Sequence, residues 1–345
     1  MFTETSTITN TRLAVVGGGS WGTALANLLG SKGFKVPFWI FEKEVRQDIQ
    51  ESRENKTFLP GVVLSENIQP SNDLQAVVSE RDLVLLVVPS HVMRQVSSGM
   101  REYVSPETVV VSASKGIENK THLTMSGILA ETLPHISKDR VAVLSGPSFA
   151  KEVARGVPTV VTVASKNSDV AAFVQQVFAT PMFRVYSSDD LIGVELGGSV
   201  KNVIAIAAGI IDGLGLGLNT RAALITRGMT EIRRLGVKLG ANPRTFTGAA
   251  GIGDLVLTCT GDLSRNHTVG KKIGQGMSLD QILSDMKMVA EGVKTARSVY
   301  NLSVKLGVEM PICHETYKIL HENASPKEAV HRLMTRDLKN ELDEM

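Results

Sequence analysis

Cysteine is nearly missing from this chain: only Cys259 and Cys313 occur in 345 residues. Two thiols are too few for a disulfide framework or a zinc site, so both are expected reduced, at least partly buried, and in a cytoplasmic protein. No sign of charge dominates either. The formal net charge is +2, which argues against nucleic acid or a charged membrane surface as a partner. Long hydrophobic runs are also lacking. The longest strongly apolar stretch, Val203 to Ile211, is about half of what a bilayer requires, so no integral membrane segment is expected. The polar segment Met1 to Thr11 does not have the basic-then-apolar layout of a secretion signal. No repeat and no low-complexity tract interrupts the chain.

What remains is the composition of a soluble globular protein, 43% hydrophobic and 21% charged, at a length that suits two domains. One stretch organises the rest. Leu13 to Val16 reads as a buried parallel strand and runs directly into Gly17, Gly19 and Gly22, at GxGxxG spacing. A helical pattern follows, with Leu25, Leu28 and Leu29 on one face. In such an arrangement Gly17 permits the tight turn, Gly19 lets the backbone approach a pyrophosphate, and Gly22 lets the helix pack closely. The helix N-terminus then offers free N–H groups to phosphates.

Lys35 to Ile40 reads as the second strand, with Pro37 implying an edge or a bulge. It ends in Phe41-Glu42-Lys43. Glu42 follows Gly19 at about the twenty-residue offset of a carboxylate that accepts from a ribose hydroxyl. Lys43 could instead attract a 2′-phosphate, and a solvated charge cluster opening the next helix would look the same. Pro60-Gly61 and Pro70 mark turns. Asp82 to Val88 suits a strand buried on both faces, Val109 to Ser112 and Val141 to Leu144 read as further strands, and Thr159 to Ala164 and Phe183 to Tyr186 could complete the sheet. Lys115, flanked by small residues, stands at a strand's carboxyl end, the side on which such sheets bind ligands. The alternation of strand and helix gives an α/β fold: a Rossmann-like, doubly wound, mostly parallel sheet over residues 12–189. From Leu191 the pattern is helical, so residues 190–345 are expected to form an all-helical domain.

Within that half, Val194 to Ile211 is apolar nearly all round and reads as a buried central helix. Lys201 and Asn202 interrupt it. A buried cation is costly unless paired or used, and desolvation suits a lysine to proton transfer; a snorkelling structural lysine is the alternative. Asp254 follows a run of small residues near a helix start, either as an N-cap or as the partner that orients Lys201. Ser264-Arg265-Asn266 reads as a polar loop whose forked cation and neighbouring donors suit a phosphate.

Together these blocks resemble one family, the bacterial-type NAD(P)-dependent glycerol-3-phosphate dehydrogenases, from about Leu13 to Leu333. The blocks are Gly-Gly-Gly-Ser-Trp-Gly-Thr-Ala-Leu-Ala, Val-Val-Pro-Ser-His, Ser-Lys-Gly, Ser-Gly-Pro-Ser-Phe-Ala, Gly-Gly-Ser-Val-Lys-Asn-Val, Gly-Ile-Gly-Asp-Leu and Ser-Arg-Asn. The resemblance implies reduction of dihydroxyacetone phosphate to glycerol 3-phosphate, feeding phospholipid synthesis, with Lys201 as proton donor and acceptor and Asp254 and Lys115 beside it. It implies substrate contacts from Lys115, Gly146, Ser148, Lys201, Asp254, Ser264, Arg265 and Asn266. For NADP or NAD it implies Gly17, Gly19, Ser20, Trp21, Gly22, Lys115, Ala150, Arg265, Val289 and Glu291, with Phe41 and Lys43 near the adenosine ribose. No metal is expected, because the ammonium supplies the positive charge. One departure stands out: members preferring NADPH often carry arginine where this chain has Phe41, which leaves the coenzyme preference open. A related keto-acid reductase and a non-catalytic dinucleotide sensor are the competing readings. A homodimer, through helix 194–211 or the helical half, is also open.

Overall fold

The computed structural model describes residues 8, 10–286, 289–338 and 340–341. It divides into two compact units, Met1–Lys115 with Leu123–Glu195, and Gly116–His122 with Leu196–Met345. In chain order the first unit holds β1 (Leu13–Val16), α1 (Ser20–Ser31), β2 (Val36–Trp39), α2 (Lys43–Ser52), β3 (Ile68–Ser71), α3 (Leu74–Val78), β4 (Leu83–Leu86) and α4 (Met93–Met100). It continues with β5 (Val109–Ser112), α5 (Met125–Thr132), β6 (Val141–Ser145), α6 (Ala150–Ala154), β7 (Thr159–Ser165), α7 (Ser168–Phe178) and β8 (Phe183–Ser188).

The strands form one sheet in the order β3-β2-β1-β4-β5-β6-β7-β8. All neighbours are parallel except β6 and β7. Side chains alternate across a strand, so a strand covered on both faces must be apolar throughout. Leu13, Val15, Leu83, Leu85 and Val111 enter one core layer, while Ala14, Val16, Val84, Leu86 and Val110 enter the other. The doubly wound sheet expected from the apolar runs is what forms.

Pro60 lies in a turn as expected, but Pro37 and Pro70 sit elsewhere than expected. Pro37 is not at an edge, since β2 lies between β3 and β1. The β1–β2 ladder holds only Phe38 and Trp39 on the β2 side, so the missing Pro37 N–H falls ahead of it. Pro70, read as a turn, is inside β3, and β3 is the edge strand, where proline is tolerated. Far along the chain, Lys32 closes α7 by donating to the carbonyls of Gln176, Val177 and Ala179 at 2.5, 2.9 and 2.8 Å.

The second unit is helical: α8 (Leu191–Gly213, its first turn in the first unit), α9 (Gly217–Lys238), α10 (Asp254–Thr260), α11 (Arg265–Gly274), α12 (Leu279–Ser284), α13 (Glu291–Leu306), α14 (Pro311–His321) and α15 (Pro326–Met334). At 23 residues α8 is longer than its uninterrupted apolar run, and by length and composition it could cross a membrane. Its most apolar 18-residue window is 100% buried in the protein, which makes it a core helix. Being covered within one chain, it does not offer the dimer surface that the sequence left open. Both cysteines are unpaired and buried.

Candidate active site

At the end of β1 the backbone turns through Gly17, whose φ of +123° suits glycine alone. A Cβ there would also lie 2.4 Å from the Val87 carbonyl oxygen. Gly22 lets α1 press closely onto the Gly17 carbonyl at the end of β1, since a Cβ would sit 1.9 Å from that oxygen. Gly19, the residue before α1, differs: a Cβ built on it meets nothing within 4 Å. The space before it is open, as a close-lying phosphate group requires. Ser20 and Trp21 begin α1 and are partly buried. Trp21 Nε1 is buried with no acceptor among the described residues, a costly state that a bound ligand can relieve. These features fit a dinucleotide's pyrophosphate.

Past β2, Phe41 is 75% exposed and meets Trp39 edge-on at 6.2 Å. Glu42 precedes α2 and Lys43 is its first residue, so the charge cluster does open a helix. Lys115 follows β5 and donates to the Gly146 carbonyl at 3.3 Å, and the Ser148 hydroxyl donates to the same oxygen at 2.9 Å. The structure therefore gathers Lys115, Gly146 and Ser148 past the carboxyl ends of β5 and β6, with Ala150 opening α6. This is the sheet edge at which open α/β folds bind ligands.

In the second unit, a Cβ on Gly197 would fall 2.4 Å from the Ala250 carbonyl oxygen. Its absence lets α8 lie against the turn of residues 249–253 that leads into α10. One helical turn past Gly197, on the same face, Lys201 Nζ donates to Asp254 Oδ1 at 2.7 Å and to Thr258 Oγ1 at 2.6 Å. Lys201 and Asp254 are 6% and 1% exposed. Asp254 is the first residue of α10 and Gly253 holds the N-cap position, so the ion-pair reading displaces the N-cap reading. Thr258 escaped the sequence reading; its place four residues after Asp254, on the same helix face, was the available signal. Beside it, burial pushes the Cys259 thiol up to about 12, so it stays protonated at neutral pH.

Ser264-Arg265-Asn266 is not a loop. Ser264 is the buried N-cap of α11, accepting from the His267 N–H at 3.2 Å, and Arg265 is the first helical residue. Asn266 donates to Asn202 Oδ1 at 3.0 Å and accepts from the Gly292 N–H at 2.9 Å. Arg265 is solvent-exposed, yet crowding protein lowers its pKa by desolvation while Glu291 opposes the shift. Glu291 starts α13, and Val289, just before it, is 39% exposed. Among the described residues no three His, Cys, Asp or Glu side chains are placed to hold a metal.

A doubly wound sheet with a glycine turn on its first strand, and a helical unit with a buried lysine–aspartate pair, define an NAD(P)-dependent oxidoreductase. Comparison with known proteins makes this specific. Residues 12–171 match the N-terminal model of NAD-dependent glycerol-3-phosphate dehydrogenase and residues 190–331 match its C-terminal model. The chain belongs to the glycerol-3-phosphate dehydrogenase family, enzymes that interconvert dihydroxyacetone phosphate and glycerol 3-phosphate. A glycerol-3-phosphate dehydrogenase (NAD(P)+) of Syntrophobacter fumaroxidans is 57% identical over 331 residues, 96% of this chain and 97% of its own length. The crystal structure of the Coxiella burnetii glycerol-3-phosphate dehydrogenase superposes with a TM-score of 0.91 at 40% identity, over 95% of this chain and 100% of that one. A ketopantoate reductase from Ralstonia eutropha covers 92% of this chain and 99% of its own, at a TM-score of 0.57 and 16% identity, and shares the fold alone.

Proposed function

We propose that Lys201 is the proton donor and acceptor for the reversible reduction of dihydroxyacetone phosphate to sn-glycerol 3-phosphate. The observation that carries this is its buried 2.7 Å pair with Asp254. A bound reduced nicotinamide supplies the hydride. As negative charge develops on the substrate's carbonyl oxygen, Lys201 stabilises it and gives it a proton; in the reverse direction it takes the proton back. Asp254 favours the ammonium form, and Thr258 fixes where the nitrogen points. Arg265 offers a forked cation to the phosphate at a helix N-terminus, where Ser264 and Asn266 hold the backbone. Phosphate binding energy then positions the carbonyl for reaction. The family resemblance assigns Lys115, Gly146 and Ser148 to the substrate as well, and their convergence on one carbonyl supports their acting as a group.

The dinucleotide is assigned to Gly17, Gly19, Ser20, Trp21 and Gly22, with Ala150, Arg265, Val289 and Glu291. Phe41 and Lys43 stand where the adenosine ribose would bind. Both NADH and NADPH are accepted in this reading, with the Glu42 carboxylate disfavouring the 2′-phosphate. The free, buried Cys259 and Cys313 support a reducing, cytoplasmic setting, and the product would feed phospholipid synthesis. A homodimer would use the exposed Leu216, just before α9, and Leu218, in its first turn, and light scattering of the purified protein tests it.

The reaction is tested by following oxidation of NADH or NADPH with dihydroxyacetone phosphate, unphosphorylated dihydroxyacetone or pyruvate. Oxidation only with the phosphate ester supports the assignment. Equal rates with the unphosphorylated ketone would remove the role given to Arg265.

A further inference from the structure

Asn55 is fully engaged beneath the glycine turn, and nothing in its sequence neighbourhood marks it. It lies beyond α2 in a short loop that the Leu59 N–H closes by donating to the Asn55 carbonyl at 2.9 Å. Its relative exposure is 0%. The side-chain Oδ1 accepts from the Phe58 N–H at 2.9 Å, while Nδ2 donates to the Gly18 carbonyl at 2.9 Å and to Thr23 Oγ1 at 2.8 Å. The Thr23 hydroxyl donates in turn to the same Gly18 carbonyl at 3.3 Å. Two donors from different elements thus hold one oxygen of the turn.

A trans peptide is planar, with its C=O and N–H pointing in opposite directions. Holding the Gly18 carbonyl inward, toward Asn55 and Thr23, turns the Gly19 N–H outward. Outward is where Gly19 is open, with room for a Cβ and nothing to meet it within 4 Å. A flipped peptide would aim a carbonyl oxygen into that space, and an anion would be repelled where the N–H attracts it.

We infer that Asn55 is a positioning residue for the dinucleotide: it touches no ligand, and it fixes the Gly18–Gly19 peptide so that its N–H faces the pyrophosphate. The inference rests on reading Gly17 to Gly22 as the dinucleotide turn. Asn55→Asp keeps the side chain's shape and its acceptor for the Phe58 N–H, but sets a carboxylate oxygen against the Gly18 carbonyl.

The experiment is calorimetric titration of the full-length protein, unaltered and Asn55→Asp, with ADP-ribose and separately with adenosine. ADP-ribose binding is expected to weaken roughly ten-fold or more, and adenosine binding to change less than about two-fold. Adenosine lacks the pyrophosphate, so general loosening of the unit would weaken both ligands alike. Equal ADP-ribose affinity in the two proteins, or equal losses for both ligands, overturns the positioning role. Failure of the unaltered protein to bind ADP-ribose refutes instead the reading of the turn itself. Should Asn55→Asp not fold, Thr23→Val removes the second donor on Gly18. Selective loss of ADP-ribose affinity in that variant then supports the inference, and unchanged affinity overturns it.

Discussion

Lys201 Nζ lies 2.7 Å from Asp254 Oδ1, with the two side chains 8% and 2% exposed. The pair joins α8 to the first residue of α10, so it is at once a tie within the helical unit and the proposed proton relay. Removing one member of a buried pair leaves the other uncompensated, at a cost of about 3–5 kcal/mol. A loss of activity in a single variant would therefore mix chemistry with stability.

Lys201→Ala is expected to lower kcat by about 10²–10⁴, with coenzyme affinity retained. It should also lower the melting temperature. The double variant Lys201→Met/Asp254→Asn removes both charges and is expected to recover much of that stability without recovering turnover. Near-normal kcat in either protein, measured with dihydroxyacetone phosphate at saturation, would end the assignment of Lys201.

Coenzyme choice tests the residues beyond β2. The Glu42 carboxylate is expected to repel a 2′-phosphate while accepting from ribose hydroxyls. An exposed charge pair is worth up to about 1 kcal/mol, so Glu42→Gln should raise the NADPH-to-NADH ratio of kcat/KM by up to about five-fold. An unchanged ratio would leave Glu42 with only its place before α2.

Local pattern explains what the sequence made legible. The continuous apolar run of β1 and the glycine spacing after it need no tertiary information, and neither does a lysine inside an apolar helix. β3 was invisible because Ile68-Gln-Pro-Ser buries only Ile68 and contains a proline, the composition of an edge rather than a core strand. Ser264-Arg265-Asn266 has the polarity of a loop, but Ser264 is a strong N-cap residue and opens α11. Asn55 and the buried Glu195 act through partners distant in the chain. Glu195, for example, accepts from the Ser126 N–H at 2.8 Å and its hydroxyl at 2.6 Å, at the start of α5. Only the topology brings such residues to their work.

Lys32 is a structural counterpart, holding three carbonyls at the end of α7. A cation there satisfies acceptors that the helix cannot and complements its dipole. Lys32→Met should destabilise the protein by about 1–3 kcal/mol, read as a lower melting temperature with kcat unchanged. An unaltered melting temperature would mean that water replaces the ammonium at no cost.

Glu231 gives stability a pH dependence whose sign can be worked out. From α9 its carboxylate accepts from the Ile312 N–H at 2.7 Å and the Cys313 N–H at 3.0 Å, at the start of α14. Burial raises its pKa from 4.5 to about 7, against the pull of those two N–H groups. A carboxyl whose folded pKa is raised binds more protons folded than unfolded. Its contribution is thus fully present below pH 4.5 and is lost as pH rises through about 7. The change is at most about 3 kcal/mol. Glu231→Gln stays neutral and keeps one acceptor for the two N–H groups. The stability of the unaltered protein relative to this variant is therefore expected to fall between pH 5 and pH 8, as measured by urea unfolding across that range, other groups cancelling in the difference. A flat difference would mean that the two N–H groups outweigh burial and keep Glu231 ionised throughout.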